Sequence, residues 1–124
     1  MYPTHHIGIY VNDIERSEKF YSLFGFKREK EMEAGGRKFY MLGNGNSRME
    51  LFSARTAGGS EQEPGAPGFR HICFECDDVN GEYERLRETV EFTRTPFQHD
   101  DLLIAFCRDP DGIDIELMQE NKST

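Results

Sequence analysis

Apolar and polar side chains alternate at the start of the chain. Ile7, Ile9 and Val11 share one face of an extended segment, and His6, Gly8, Tyr10 and Asn12 share the other. The spacing then lengthens to that of a helix, with Ile14, Phe20, Tyr21 and Phe24 recurring after a cap from Asn12 or Asp13 and before a stop at Gly25. Alternation resumes, broken by the turn formers Gly35-Gly36 and Gly43-Asn44-Gly45-Asn46. The pattern predicts a strand over 5–12, a helix over 14–24, and strands over 27–33, 38–42 and 48–54. A second series follows: strand 69–76, helix 79–89 capped by Asp77 or Asp78, and strands 92–97, 102–107 and 113–119. Its last hairpin turns at Asp109-Pro110-Asp111-Gly112. Residues 56–68, rich in Gly and Pro with no large apolar side chain, read as a linker, and 120–124 as a polar tail expected to fray.

The two series are one pattern written twice. His6-Ile7-Gly8-Ile9-Tyr10-Val11-Asn12-Asp13 matches His71-Ile72-Cys73-Phe74-Glu75-Cys76-Asp77-Asp78, with Asp seven residues after each histidine. Met49-Glu50-Leu51-Phe52 likewise matches Ile115-Glu116-Leu117-Met118. His6 and Glu50 are 44 residues apart, and His71 and Glu116 are 45. Nearly equal internal spacing implies a duplicated strand-helix-strand-strand-strand module, over 5–55 and 69–119. The fold class expected is α+β.

In each module the alternation puts His or Glu on the face opposite the apolar one. Glu50 shares its face with Phe52, and Glu116 with Met118. A carboxylate in apolar company is costly unless it is solvated, paired or metal-bound. A strand Glu is ordinarily a solvated edge residue, and one His opening a strand is seldom a ligand. Two of each at duplicated positions are not independent accidents. His6, Glu50, His71 and Glu116 offer nitrogen and oxygen donors suited to a borderline divalent metal such as zinc, nickel, cobalt or iron. A polar, metal-free cleft is the other reading. His5 falls to the opposite face or to solvent, and His99, beside Asp100 and Asp101, reads as a turn residue.

Three cysteines, an odd number, do not suggest a disulfide framework; Cys73 and Cys76 form a C-x-x-C, but positions three apart on a strand point to opposite faces, so the two thiols do not easily grip one metal. With Cys107 they are expected to be small buried residues. The chain of 124 residues fits one domain. Its net charge of −8 argues against a nucleic-acid partner, and no apolar run is long enough to span a bilayer. Met1-Tyr2-Pro3-Thr4-His5-His6 lacks the features of a secretory leader, so a cytoplasmic protein is expected.

From His6 to Met118 the chain resembles the vicinal oxygen chelate superfamily, also called the glyoxalase/bleomycin resistance/extradiol dioxygenase superfamily. The resemblance rests on His6 to Asp13, Phe20-Tyr21-Ser22-Leu23-Phe24-Gly25-Phe26, Glu50-Leu51, Phe69-Arg70-His71-Ile72, and Asp109 to Leu117, in this order and spacing. It implies two βαβββ modules curled into a cup with helices outside. It also implies one divalent metal, nickel or zinc first and cobalt, manganese or iron as alternatives, held by His6, Glu50, His71 and Glu116. The His, Glu, His, Glu set is similar to that of bacterial glyoxalase I. That likeness implies isomerisation of a hemithioacetal to an α-hydroxy thioester, with Glu116 or Glu50 moving the proton and Tyr10, Phe52, Cys73 and Met118 as substrate-pocket residues. A metal-free small-molecule binding or resistance protein and an extradiol dioxygenase are the alternatives. Glutathione-using members carry Arg four residues after the first ligand His and Asn four after the first Glu; here Tyr10 and Ala54 stand there, which leaves the thiol open. The resemblance also implies a homodimer in which the metal site is shared between chains.

Overall fold

The computed structural model describes residues 1–54 and 65–121. Positions 56–64 of the expected linker and 122–124 of the expected tail lie outside the described residues. The chain divides into two compact units, 1–58 and 59–124. In the first, β1 (Ile7–Val11), α1 (Ile14–Ser22), β2 (Lys27–Ala34), β3 (Arg37–Gly43) and β4 (Arg48–Ser53) follow in order. In the second, the order is β5 (His71–Glu75), α2 (Val79–Leu86), β6 (Phe92–His99), β7 (Leu102–Arg108) and β8 (Asp114–Glu120). The fold is α+β, one βαβββ module per unit.

Each unit builds one mixed four-stranded sheet, ordered β1-β4-β3-β2 in the first and β5-β8-β7-β6 in the second. The first and last strands of each module run parallel, with Gly8 opposite Glu50 and Cys73 opposite Glu116. The other pairs are antiparallel. Parallel pairing of β1 with β4 needs a crossover, and the helix supplies it.

Short-range chemistry sets the element ends. Asp13, not Asn12, caps α1, its side chain accepting from Arg16 N at 3.1 Å. Asp78, not Asp77, caps α2 and accepts from Gly81 N at 3.0 Å. Both helices stop sooner than their apolar spacing suggests, at Ser22 and Leu86, because the last apolar residues, Phe24 and Val90, pack from the turns that follow. Gly35 and Gly36, at φ 59° and 75°, close the two-residue β2–β3 hairpin, a conformation glycine adopts without steric cost. β6 reaches two residues further than expected, to His99, so that His99 ends a strand rather than lying in the turn; Asp100 makes the turn at φ 52°.

The core of the first unit gathers Val11, Ile14, Phe20, Tyr21, Phe26, Tyr40, Leu42, Met49 and Leu51 between helix and sheet. Val79, Leu86, Val90, Ile104, Ala105, Cys107, Ile115 and Leu117 do the same in the second. One expectation needs correction. The apolar face of β1 is not uniformly covered: Val11 is buried, but Ile7 is 42% exposed. The reason is that α1 packs on β2, β3 and β4, whereas β1 is the edge strand. Among the described residues, no helix is long and apolar enough to cross a membrane.

Candidate functional site

His6 stands immediately before β1 and Glu50 near the middle of β4, the parallel neighbour of β1. Their side chains meet, His6 Nε2 lying 3.5 Å from Glu50 Oε1. The second unit repeats the arrangement. His71 opens β5, Glu116 lies on β8, and Nε2 is 2.9 Å from Oε1. In both pairs the carboxylate is sheltered, its side chain 14% exposed, while the imidazole is more open to solvent. The shelter follows from position: each Glu is on an inner strand, between the His-bearing edge strand and the third strand of its module.

Partners outside each pair orient it. His5 is exposed, in line with its expected place on the far face or in solvent, and its Nδ1 lies 2.8 Å from His6 Nδ1, the rings edge-on at 5.1 Å. One of these nitrogens must donate and the other accept, which leaves His6 Nε2 directed at Glu50. The contact between the two rings was not foreseen, because residues 5 and 6 precede β1 and obey no period of two. In the second unit the His71 ring stands edge-on to Phe106 at 5.9 Å. Cys73 hydrogen-bonds Glu116, and its thiol is pushed up to about 11 by desolvation first and then by the Glu116 charge.

The three cysteines are free. Their expected burial holds only for Cys107; Cys73 is exposed and Cys76 half-exposed. Both sit on or just past the edge strand β5, beyond the reach of α2, which packs on β6, β7 and β8. The Cys107 thiol is pushed up to about 12 by burial and by the neighbouring Asp109 carboxylate.

Of the expected pocket residues, Tyr10 and Phe52 come together, ring centroids 5.4 Å apart. They line a cavity of about 530 Å³ in the first unit, with Phe39, Arg37, Gly35 and Ser53. Phe39 and Arg37 were not anticipated. The signal was present in the register, since Phe39 pairs with Phe52 across β3 and β4 and so shares its face. Cys73 and Met118 belong to the second unit, along the face that carries Glu116.

Each pair is spaced as two ligands of one ion would be. Two donor atoms each about 2.1 Å from a common metal stand about 3.0 Å apart at a right angle and about 3.4 Å apart at the tetrahedral angle. The observed 2.9 and 3.5 Å fall at these values. Imidazole nitrogen with carboxylate oxygen is a donor set for zinc, nickel, cobalt, manganese or iron. Among the described residues, no group of three or more His, Cys, Asp or Glu side chains is arranged to hold a metal; each unit holds one His–Glu pair.

The family model described as the Glyoxalase/Bleomycin resistance protein/Dioxygenase superfamily matches residues 4–117. The chain is 32% identical over 127 residues to the lactoylglutathione lyase of Haemophilus influenzae, covering 96% of this chain and 93% of that protein. It is also 32% identical over 123 residues to YwkD, an uncharacterized protein of Bacillus subtilis, covering 94% and 95%. Among solved structures, the glyoxalase family protein from Enterococcus faecalis matches with a TM-score of 0.82 at 22% identity, covering 94% of this chain and 97% of that one. At that identity the likeness is one of fold.

Proposed function

We propose that this chain, which belongs to the glyoxalase/bleomycin resistance protein/dioxygenase superfamily, is a metal-dependent isomerase of glyoxalase I type. Its substrate is a hemithioacetal formed from a ketoaldehyde and a thiol. One observation carries this reading: the same His–Glu pair, with the same sheltered carboxylate, recurs in both units at equivalent register. The likeness to a lactoylglutathione lyase supports it.

In this proposal His6, Glu50, His71 and Glu116 hold one divalent cation, nickel or zinc by preference, within one chain or across a homodimer. The cation, when bound, supplies Lewis-acid polarisation of the substrate's oxygens. The chain's own residues supply the proton chemistry. One carboxylate, with Glu116 favoured over Glu50, takes the proton from C1 and returns it to C2, while the hydroxyl proton leaves the oxygen on C1 and the oxygen on C2 gains one, so that the product differs from the substrate only in where those two protons and the C–O double bond lie. A positioned carboxylate contributes about 10²–10⁴-fold to such a step. His6 and His71 fix the orientation of their Glu partners, and Tyr10 and Phe52 offer the substrate an apolar surface. A hemithioacetal needs a free thiol pool, which makes the reducing cytoplasm the expected setting.

The test has two parts. Elemental analysis of protein equilibrated with nickel, zinc, cobalt, manganese or iron should find one ion for each four-donor set. Hemithioacetals of methylglyoxal with glutathione, bacillothiol and smaller thiols should then isomerise, at least one of them at an enzymatic rate. Failure of every thiol adduct with every metal overturns the reading, and oxygen uptake with a catechol would replace it by a dioxygenase.

A further inference from the structure

The cavity of the first unit carries a feature that the proton-transfer chemistry does not use. Three aromatic rings, Tyr10, Phe39 and Phe52, line it on its open side, Tyr10 itself exposed, and the cation Arg37 stands at its wall. The rings touch in series, Tyr10 to Phe52 and Phe39 to Phe52 each at 5.4 Å between centroids. Arg37 has no ion-pair or hydrogen-bond partner among the described residues. In the same sheet Arg28 is matched with Glu18 and Glu31, Lys38 with Glu15, and Arg48 with Glu29, whereas Lys27 and Lys30 on β2 carry no ion pair among the described residues and do not line the cavity. What sets Arg37 apart is its place: an unmatched guanidinium at the wall of an aromatic cavity is free to pair with an anion from outside.

The strand geometry relates this cavity to the His6–Glu50 pair. Phe52 is two residues beyond Glu50 on the same face of β4, about 7 Å along the strand. Tyr10 is four residues beyond His6. Phe39 faces Phe52, and Arg37 lies two residues further toward the β2–β3 turn, so its backbone stands about 13 Å from Glu50 along the sheet. A ligand with one end at the pair would lay an apolar stretch across the rings and bring a terminal charge to Arg37.

We propose that this cavity seats the distal arm of the substrate, an apolar segment ending in a carboxylate, with the Arg37 guanidinium as the anion receptor and Tyr10, Phe39 and Phe52 as the apolar bed. The assignment rests on the His–Glu pair being the reacting end. It restricts the substrate to thiol adducts that carry an acid group, and it places the selecting cation on β3.

Nuclear magnetic resonance titration of the full chain with 3-phenylpropionate tests this directly. The acid should shift the amide signals of Gly35, Arg37 and Ser53, and uncharged 3-phenylpropanamide should bind about tenfold more weakly. Arg37→Met should abolish the preference and Arg37→Lys should retain part of it, both with wild-type circular dichroism and thermal unfolding. Equal affinity for acid and amide in the wild type, or an undiminished preference in Arg37→Met, overturns the proposal. Neither measurement needs turnover. A chain inactive on every hemithioacetal that still shows the Arg37-dependent preference refutes the isomerase reading and leaves the anion site standing.

Discussion

Gly8 lies in the middle of β1, where a side chain would ordinarily be tolerated, yet a Cβ placed there would come within 2.5 Å of Phe52 Cε2 and 3.1 Å of Cζ. Ordinary carbon contacts lie near 3.5–4.0 Å, so Gly8→Ala must drive the Phe52 ring away by about 1 Å. The atoms met are the far end of the ring, which can tilt without moving the backbone. Overpacking of this kind costs about 1–3 kcal/mol, and replacing Gly by Ala restores about 0.4–1 kcal/mol by restricting the unfolded chain. The net is a loss of about 1 kcal/mol, or roughly 4 °C in Tm for a chain of this size. The larger effect falls on the cavity, because the displaced ring touches both Tyr10 and Phe39. Ring contacts worth about 0.5–1.5 kcal/mol correspond to about two- to tenfold weaker binding of 3-phenylpropionate. Calorimetric titration alongside thermal unfolding checks both numbers. Wild-type affinity for the probe in Gly8→Ala, with unchanged Tm, would refute the packing argument.

Glu50→Gln and Glu116→Gln should each weaken metal retention at least tenfold without unfolding the chain, since loss of a ligand should exceed the roughly 10–100-fold effect of losing a group behind one; elemental analysis after dialysis reads this. Tyr40→Phe removes the hydrogen bond that the buried Tyr40 hydroxyl donates to Glu15 Oε1 at 2.8 Å and should cost about 1 kcal/mol at neutral pH. Its pH dependence has a defined sign. That hydrogen bond holds the Glu15 carboxyl below its ordinary 4.5, so the stabilisation is fully present above 4.5 and is lost as pH falls through the lower folded value; urea titrations of wild type and variant should converge in acid. Asp109→Ala should cost about 2–3 kcal/mol in the same assay, because the nearly buried Asp109 Oδ1 accepts from both Asp111 N at 2.9 Å and Ile113 N at 2.8 Å.

The duplication made much of this legible. Alternation alone assigned Glu50 and Glu116 to the face opposite Met49, Leu51, Ile115 and Leu117, and the buried residues are those four. The repeat identified which His belongs with which Glu, and each pair is in contact within its own unit. Periodicity is silent where the chain leaves regular structure, which is why the His5–His6 contact was not foreseen. It overstated burial on β1, because a strand's pattern of apolar positions does not reveal that the strand is at an edge. Arg37 and Phe39 were missed for a related reason. Membership of the cavity depends on the register of β3 against β4, a pairing between residues far apart in sequence that no local pattern encodes.

The parallel pairing of first and last strands has a consequence for how each half closes. His6 and Glu50 are 44 residues apart, and His71 and Glu116 are 45, with every other element of the module strung between them. Tying the ends of such a stretch costs about 3 kcal/mol in chain entropy, which the contacts of the module between them must offset. An ion gripping a pair would act as a clasp on a finished loop, tightening as the whole module locks and loosening with any defect along it. Ligand retention would therefore report the integrity of residues that never approach the ion.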